Sequence, residues 1–400
     1  MTGSGTRPLD VFVVAGEDSG DQLGAHLMDA LATMHEGGAR FRGVGGARME
    51  ARGLVSRFSM ADISLFGLTS VIAHIPRVLR RIRETVAAIA ADPPDVLVLI
   101  DSPGFNGRVG RAVRKRLPDL PIIFYVSPSV WAWRPGRAPR MRAYVDHILA
   151  LLPFEPEVHV RLKGPPCTYV GHPISERLAD LRPDAQERER RHGEPPRVLV
   201  LPGSRKLEIQ RLSDLFGAVM ARTEDTMGPV DWVLPAVVRH RRLIEREVAS
   251  WPIRPRIITS EEEKFAAFRT ARAALACSGT VTLELAVAGV PHVGTYRTGW
   301  LEAQIARRLI TADTAILANL VIGRKVVPEF LQEFATVEAV TGALVDVIRD
   351  GAARQRQIEG FAEIDAIMDF CGETPSRKAA AIVLKVLDER RSGAGRTATP

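Results

Sequence analysis

Short, continuous apolar runs that alternate with helical patterns limit the possible folds of this chain more than any other feature. The runs are DVFVVA (10–15), PDVLVLI (94–100), PIIFYVS (121–127), HILALLPF (147–154), RVLVLP (197–202), DWVLPA (231–236), RIIT (256–259), AALACSG (273–279) and VPHVGTY (290–296). Because they are apolar at successive positions, they are typical of parallel strands that helices cover on both faces. The pattern therefore predicts an α/β fold with doubly wound sheets.

The length of 400 residues and a break in the pattern predict two domains. The segment ERLADLRPDAQERERRHGEPPR is charged and proline-rich and has no apolar stripe. We expect two Rossmann-like domains that face a cleft, with ligands at the carboxyl ends of their strands. The predicted segments are residues 1–175 for the first domain, 176–196 for a linker, 197–365 for the second domain, 366–390 for C-terminal helices that pack back on the first domain, and 391–400 for a disordered tail.

Composition and charge limit the expected cellular compartment and the expected classes of ligand. Cys167, Cys277 and Cys371 lie far apart, so neither a disulfide framework nor a zinc site is indicated. The sequence has neither a signal-peptide pattern nor the roughly 18 consecutive apolar residues of a spanning helix, so we expect a cytoplasmic chain. The net charge of +7 leans to residues 1–170, which suits anionic lipid or a phosphorylated substrate. Nucleic acid is not expected, because no basic stripe alternates with aromatic residues.

A helical stripe in residues 63–91 stands out. Its apolar residues recur at steps of three and four, at Ile72, Ile75, Leu79, Ile82, Val86 and Ile89. The segment RVLRRIR (77–83) adds four arginines. Either the helix packs on the sheet as an ordinary surface helix, or it docks on an anionic bilayer, and the pattern leaves both interpretations open.

Two loops of the second half have the composition of phosphate-binding turns. In LVLPGSRKLEI (199–209) a strand ends, Ser204 can cap the following helix, and Arg205 can clamp a phosphate beside the N–H groups of that helix.

In the other loop, Ser278, Gly279 and Thr280 open a helix after the strand AALAC. Glu284, one turn later, can accept hydrogen bonds from a ribose diol. Each loop alone is equally consistent with an ordinary capped turn. Because both occur in one half, they favour a nucleotide diphosphate site.

The first loop of the chain carries acids instead. VVAGEDSGDQLG (13–24) does not have the G-x-G-x-x-G spacing of dinucleotide-binding proteins, and Glu17, Asp18 and Asp21 would repel a pyrophosphate. Such carboxylates suit sugar hydroxyls. A structural role of Asp18 or Ser19 as a helix cap is the alternative.

Asp101 ends the strand VLVLI and begins the loop DSPGFN. A carboxylate at the end of a buried strand needs either a partner or a task. It can brace the loop or cap a helix, or it can act as a general base toward a hydroxyl bound at the strand ends. Trp131 and Trp133, with Arg134 beside them, either bind an acylated sugar or its phosphate or fill a gap between domains.

Taken together, these motifs resemble one family, the lipid-A-disaccharide synthases. The segments that carry the resemblance are AGEDSGDQLGA (15–25), GVGGARMEARG (43–53), IDSPGFN (100–106), YVSPSVWAWR (125–134), LPFEPEV (152–158), YVGHPI (169–174), LPGSRKLEI (201–209), SGTVTLE (278–284) and VPEFLQ (327–332). They cover about four fifths of the chain in order, and YVSPSVWAWR is the most specific of them.

The resemblance implies an inverting glycosyltransferase of the GT-B type. It would move 2,3-diacylglucosamine from its UDP carrier to the 6-hydroxyl of 2,3-diacylglucosamine 1-phosphate and form a β(1→6) link. Asp101 matches the expected base, and Glu17 matches an acidic loop residue expected to support activity. The substrate-binding residues implied in this way, together with candidates from the loops above, are Arg205, Ser278, Gly279, Thr280, Glu284, Asn319, Ser19, Trp133 and Arg134.

The resemblance also implies a setting and shows one departure. No cofactor and no metal are expected, and the enzyme would be peripheral on the cytoplasmic face of the inner membrane; a homodimer is compatible with the sequence. The family usually reads Asp-x-Pro-Asp-Phe where this chain has Gly104 in DSPGF. The alternatives are another UDP-sugar enzyme of the same fold, such as an epimerase, or a non-catalytic membrane-associated UDP-sugar binder.

Overall fold

The computed structural model describes residues 7–63, 68–299, 303–304, 309 and 312–392, with the backbone alone for 68–74 and 391. The chain divides into two compact units. Unit 1 consists of Met1–Pro173 and Gly372–Pro400, and unit 2 consists of Ile174–Cys371.

Within its described residues, unit 1 contains one sheet of seven parallel strands in the order β3-β2-β1-β4-β5-β6-β7. The strands are β1 Leu9–Ala15, β2 Ala39–Val44, β3 Val55–Ser56, β4 Val96–Ile100, β5 Ile122–Tyr125, β6 His147–Ala150 and β7 Cys167–Tyr169. The helices between them are α1 Asp18–Met34, α2 Ala47–Glu50, α3 Leu68–Ala91, α4 Asn106–Arg116, α5 Arg137–Met141 and α6 Glu155–Arg161. The order 3-2-1-4-5-6 is that of the Rossmann fold.

Unit 2 repeats this order with six parallel strands among its described residues, arranged β10-β9-β8-β11-β12-β13. They are β8 Arg197–Leu201, β9 Asp231–Pro235, β10 Arg256–Ile258, β11 Ala273–Cys277, β12 His292–Tyr296 and β13 Glu329–Leu331. The helices are α7 Leu178–Leu181, α8 Ala185–Arg190, α9 Lys206–Met227, α10 Arg241–Val248, α11 Glu261–Thr270, α12 Val281–Val287, α13 Leu317–Ile322, α14 Val337–Ile348, α15 Ala352–Ala362 and α16 Ile364–Ile367. The prediction of two Rossmann-like domains is confirmed.

The unit 1 sheet is buried on both faces, as its continuous apolar runs predict. Every residue of β4 is 0% exposed. Along β1, Val11 and Val13 face a core cluster that includes α1, while Phe12 and Val14 face a second cluster that includes α3 and α4. Since successive side chains of a strand point to opposite faces, a strand covered on both sides has to be apolar throughout.

The chain ends in unit 1 with helix α17, Pro375–Arg391, which packs against α1. Its Ala379, Val383 and Leu387 belong to the same core cluster as the inner face of α1. The expectation that C-terminal chain packs back on the first domain is therefore confirmed.

Two expected segments differ in detail. Residues 176–196, expected to link the domains, contain α7 and α8 and belong to unit 2. Of the tail expected at 391–400, residues 393–400 lie outside the described part of the chain.

The amphipathic helix α3 divides along its length. Ile82, Val86 and Ile89 are buried in the unit 1 core, whereas Ile75 and Leu79 are 43% and 41% exposed. The side chain of Ile72 and residues 64–67 lie outside the described part of the chain.

Candidate functional site

The four loops singled out by sequence lie where the strand order of each sheet reverses. In unit 1, β1 pairs with β4, and the loops that begin at Gly16 and Asp101 leave the sheet side by side. In unit 2, β8 pairs with β11, and the loops that begin at Pro202 and Ser278 do the same. In open α/β sheets, ligands bind at this edge, so each unit brings its motif residues to the expected place.

Asp101 turns the chain sharply at the end of β4. Asp101 and Ser102 have φ angles of 53° and 44°, in the left-handed region that few side chains adopt. The Asp101 N–H donates to the Tyr125 carbonyl at 2.8 Å, so the residue stays attached to the sheet. A backbone held in this region at a strand end is a feature that clusters at functional sites.

The neighbouring chain fixes that turn. A Cβ at Gly16 would lie 2.0 Å from Ser102 Oγ, so only glycine allows the first loop to approach the Asp101 loop this closely. Asn106 is 0% exposed, and its side-chain amide donates to the carbonyls of Asp101 and Ile100, both at 2.9 Å. Asn106 thus stabilises the turn at Asp101 and Ser102 through hydrogen bonds to the end of β4. Nothing in the sequence pattern predicted this role.

The Asp101 carboxyl has the environment of a base. Its removal from water raises its pKa above the ordinary value of 3.8, and a hydrogen bond from the Ser102 backbone N–H opposes this only in part. In the described part of the chain no cation pairs with Asp101. The carboxylate is therefore not committed to an ion pair that would block a substrate hydroxyl.

A cavity of about 440 Å³ in unit 1 opens beside this turn. Glu17, Ser102 and Gly104 line its polar side, and Ile75 and Leu79 of α3 line its apolar side. The volume lies within the range of small-molecule sites, roughly 300–1,000 Å³. Glu17 is the acid among the lining residues, and Asp101 immediately precedes the lining residue Ser102. An amphipathic ligand can place a sugar at Glu17 and an acyl chain along α3.

The other acids of the first loop have different surroundings. The Asp21 carboxylate accepts hydrogen bonds from the backbone N–H groups of Gly46, Arg48 and Met49 at 2.7 to 3.2 Å, so it caps α2 and is structural. Asp18 and Ser19 are exposed in the first turn of α1, whose N-cap residue is Glu17. Neither forms the cap that was the alternative for them.

Gly104 has room for the acid usual in the family. A Cβ at this position would meet only Arg108 Nη1, at 4.0 Å, and the residue is exposed on the cavity wall. Since Arg108 already donates to the Gly104 carbonyl at 2.5 Å, an aspartate there would face a guanidinium. The Gly104 position is therefore open to solvent and is not required to hold the loop.

The two tryptophans of the loop after β5 have separate roles. Trp131 packs edge-on against Phe154 at 5.5 Å and donates to the buried Glu155 carboxylate at 3.3 Å. Trp133 is 38% exposed, and the Arg134 guanidinium carbon lies 4.3 Å from its ring centroid. The first ring anchors the loop within unit 1, and the second, with its arginine, is accessible.

In unit 2, the N–H groups of the first predicted phosphate-binding loop already donate hydrogen bonds to a carboxylate of the following helix, α9. Glu208 accepts hydrogen bonds from the N–H groups of Ser204 and Arg205, both at 3.2 Å, and from Arg205 Nη1 at 2.9 Å. A phosphate that uses these donors has to displace the Glu208 carboxylate. Sequence reasoning predicted the donors and missed the glutamate that satisfies them.

The second loop lies beside β12 and β13. Gly279 has a φ of 159° and nothing within 4 Å of a Cβ built on it, so the backbone there is open to a ligand. Ser278 Oγ donates to Glu329 at 3.4 Å. Thr280 is the N-cap residue of α12, and Glu284 in that helix pairs with Lys264 at 2.6 Å.

Asn319 is 2% exposed, and its amide is used inside unit 2. Its Oδ1 accepts from the N–H groups of Val326 and Val327 at 2.9 Å, and its Nδ2 donates to the Val327 carbonyl at 2.9 Å. These bonds shape the turn before β13, so any contact with a nucleotide would go through that turn.

None of the helices in the described part of the chain combines the length and the apolar character that a membrane crossing requires. The same residues include no group of three His, Cys, Asp or Glu side chains arranged to hold a metal ion.

Comparison with known proteins assigns these motifs to one family. Residues 11–383 match the family model described as lipid-A-disaccharide synthetase. The lipid-A-disaccharide synthase of Nitrobacter hamburgensis is 54% identical over 381 residues, which cover 95% of this chain and 96% of that protein.

Solved structures share the fold at low sequence identity. The UDP-GlcNAc 2-epimerase of Neisseria meningitidis, bound to UDP-GlcNAc, has a TM-score of 0.56 and 12% identity, over 96% of this chain and 100% of that chain. The calicheamicin glycosyltransferase CalG4 has a TM-score of 0.59 and 16% identity, over 96% and 99% of the two chains. Because one of these is an epimerase and the other a transferase, the fold alone does not separate the two activities.

Proposed function

Since the chain belongs to the lipid-A-disaccharide synthase family, we propose that it transfers 2,3-diacylglucosamine from UDP to the 6-hydroxyl of 2,3-diacylglucosamine 1-phosphate. Membership of the family makes it a glycosyltransferase of lipid A biosynthesis that uses a UDP-sugar. The identity of both acylated substrates and the roles of individual residues are the parts that we infer.

One observation carries the proposal for unit 1. The cavity of about 440 Å³ extends from Glu17 and from residues 102–105, which directly follow Asp101, to the apolar residues Ile75 and Leu79 of α3. A sugar epimerase acting on a water-soluble nucleotide sugar has no use for such an apolar wall, whereas an acylated acceptor does. This favours a lipid-linked transferase over the epimerase alternative.

Asp101 is the proposed base. Its ionised carboxylate takes the proton from the acceptor 6-hydroxyl as that oxygen attacks the anomeric carbon and the bond to UDP breaks. Burial raises its pKa above the ordinary value, which raises the affinity of the carboxylate for the proton that it would accept. Glu17, half-buried on the same cavity, would accept hydrogen bonds from the sugar.

Unit 2 is the proposed donor half. Arg205 would leave Glu208 and pair with the UDP diphosphate, and the freed N–H groups at the start of α9 would donate to the same phosphates. The negative charge that develops on departing UDP would be stabilised by these donors. The open backbone at Gly279 and the carboxylate of Glu284 are the proposed contacts for the uridine half.

Helix α3 is the proposed membrane contact, on the cytoplasmic face of the inner membrane. Ile75 and Leu79 are exposed apolar residues, and Arg77, Arg80 and Arg83 are exposed basic residues in the following turns. Both acylated substrates reside in a bilayer, so a helix with this composition would bring the cavity to them.

The decisive test mixes both acylated substrates with the enzyme in detergent and measures disaccharide and UDP. We expect Asp101→Asn to lower kcat by at least about 100-fold with UDP binding unchanged, because a general base contributes roughly 10²–10⁴. Asp388→Asn, an exposed acid on α17, is the matched control, and Gly104→Asp should stay active. Near-normal turnover by Asp101→Asn would remove Asp101 from the role of base, and UDP-sugar isomerisation without disaccharide would support the epimerase.

A further inference from the structure

Three arginines of unit 1 gather beyond the ends of β4 and β5. The guanidinium carbons of Arg134 and Arg137 lie 4.3 and 5.6 Å from the centroid of the same Trp133 ring. The Arg111 guanidinium carbon lies 5.2 Å from the Tyr144 ring centroid. Arg137 is close enough to both other arginines to be affected by their charge.

This arginine cluster, Arg111, Arg134 and Arg137, has no counter-charge in the part of the chain that the structure describes. By contrast, Arg114 on the same helix as Arg111 pairs with Asp146 at 2.5 Å. Burial and the two neighbouring cations hold the pKa of Arg137 below its usual range. Like charges collected without an anion repel each other, and a bound anion would offset that repulsion.

The arginine cluster lies next to the cavity that Glu17, Ser102 and Gly104 line. A Cβ at Gly107, in the first turn of α4, would lie 3.2 Å from the Tyr144 hydroxyl oxygen and 3.6 Å from Arg111 Nη2. Arg108, the next residue, lines the cavity itself. The same turn of α4 therefore borders both the cavity and the cluster.

We propose that Arg111, Arg134 and Arg137 bind the phosphate group of the acceptor. The inference rests on the proposed function, which supplies an acceptor with a phosphate monoester. Such a group carries a charge of about −1.5 to −2 at neutral pH and offers three oxygens to planar guanidinium forks. The Trp133 and Tyr144 rings hold those forks in place by stacking.

The experiment compares two acceptors, 2,3-diacylglucosamine with and without its 1-phosphate, in detergent micelles at saturating UDP-sugar. We expect Arg137→Ala and Arg111→Ala to lower kcat/KM for the phosphorylated acceptor by about 10- to 100-fold, the range expected for a lost hydrogen bond to a charged group. For the dephosphorylated acceptor and for the KM of the donor, we expect little change. Arg137→Lys should recover part of the loss, and Arg142→Ala, an exposed arginine just after α5, is the matched control.

Two outcomes would overturn the inference. An equal loss for both acceptors would mean that the cluster supports the loop and does not bind phosphate. Weaker binding to anionic phospholipid vesicles without altered acceptor discrimination would assign the cluster to bilayer phosphates. If Arg137→Ala fails to fold, the exposed Arg111 carries the comparison. Failure of the wild-type chain to form any disaccharide would instead count against the proposed function.

Discussion

The neighbours of Asp101, the proposed base, fix both its backbone and the environment of its carboxyl. Its left-handed backbone, with φ at 53°, is fixed by Asn106 and by the close approach of Gly16 to Ser102. Its carboxyl is desolvated without gaining a cation, which raises its pKa. A side chain with that position and that proton affinity suits deprotonation of an alcohol better than it suits a structural role.

Glu155 is a second unusual carboxyl, and it supports the loop that carries Trp133. Burial raises its pKa from 4.5 to about 7, although it accepts hydrogen bonds from the Leu152 N–H at 3.0 Å and from Trp131. Ser127, where the loop begins, contacts the buried His159 ring at 3.0 Å. The residues that anchor the Trp133 loop therefore include a carboxyl that changes charge near neutral pH.

The contribution of Glu155 to the stability of unit 1 should consequently be lost as pH rises from 4.5 to about 7. In that window the folded chain keeps a proton on Glu155 that the unfolded chain loses, so this contribution to the free energy of unfolding drops by at most about 1.4 kcal/mol per pH unit. Glu155→Gln removes this contribution, so the difference in stability between the two proteins should change with pH. Urea unfolding of both proteins at pH 5, 6, 7 and 8 checks it, and parallel profiles would contradict the expectation. His159, whose pKa is lowered from 6.5 to about 4, contributes the opposite slope between those values, because the unfolded chain binds a proton there that the folded chain does not. The Glu155→Gln variant keeps His159, so comparison of the two proteins isolates the Glu155 contribution.

For individual residues, the sequence predicted their placement at the end of a strand or the start of a helix better than it predicted their side-chain contacts. The strand-ending position of Asp101 and the helix-starting position of Arg205 follow from local pattern. The Glu208 carboxylate that satisfies the Arg205 loop and the cluster of Arg111 with Arg137 depend on side-chain directions in the folded chain. Nothing in the spacing of these residues indicates which of them meet.

Among the elements, α3 is buried along one half and exposed along the other, so its core packing is confirmed and its docking on a bilayer stays a prediction. Its C-terminal half packs in the core through Val86 and Ile89, while Ile75 and Leu79 remain exposed. Its arginines also differ: Arg81 pairs with Asp62 at 2.5 Å and with Glu84 at 2.7 Å, so it is part of the fold. One apolar stripe therefore serves the core along one half and faces outward along the other.

We expect the triple substitution of Arg77, Arg80 and Arg83 by Glu to weaken binding to anionic vesicles by at least about 10-fold, since each basic residue near such a surface contributes about 1 kcal/mol. Arg81 is left in place because it is mostly buried and its ion pairs lie at 2.5 and 2.7 Å. The exposed Arg77 and Arg80 form longer pairs, at 3.8 and 3.3 Å. Vesicle sedimentation at physiological salt provides the measurement. The control replaces three exposed arginines of unit 2, Arg190, Arg222 and Arg242. Equal binding by the α3 variant and the wild type would return the helix to a purely structural role.

The strands that sequence missed are those with mixed composition. β2 contains Arg40 and Arg42, so it does not read as an apolar run. Both arginines pair with Asp10, at 2.7 and 2.8 Å, and this ion-pair group lets polar residues join the sheet. β7 and β13 have three residues each, too few for any periodicity to be visible.

At the scale of the molecule, both units share one strand order but carry different residues in the corresponding loops. Each has the Rossmann strand order, and each brings two loops together where that order reverses. In unit 1 those loops carry the acids Glu17 and Asp101, and in unit 2 they carry glycines, hydroxyls and Arg205. The alternation of apolar runs predicted the strand order that both units share, and the assignment of phosphate binding to unit 2 by its loop residues stays a prediction.

Unit 1 also depends on the C-terminal helix α17. A truncation that removes α17 should therefore destabilise unit 1 and leave unit 2 folded. Val383, Val386 and Leu387 of α17 are buried against α1, and burial of each such side chain contributes roughly 1.5–3 kcal/mol. Their sum is comparable to the total stability of a domain, about 5–15 kcal/mol. A chain ending at Cys371 should therefore lose the cooperative unfolding of unit 1 and all transferase activity, while unit 2 still binds UDP. Urea unfolding measures the loss of the unit 1 transition, and calorimetry measures UDP binding. A chain ending at Ser392, which keeps α17, is the control. An unchanged unit 1 transition would show that α17 is dispensable.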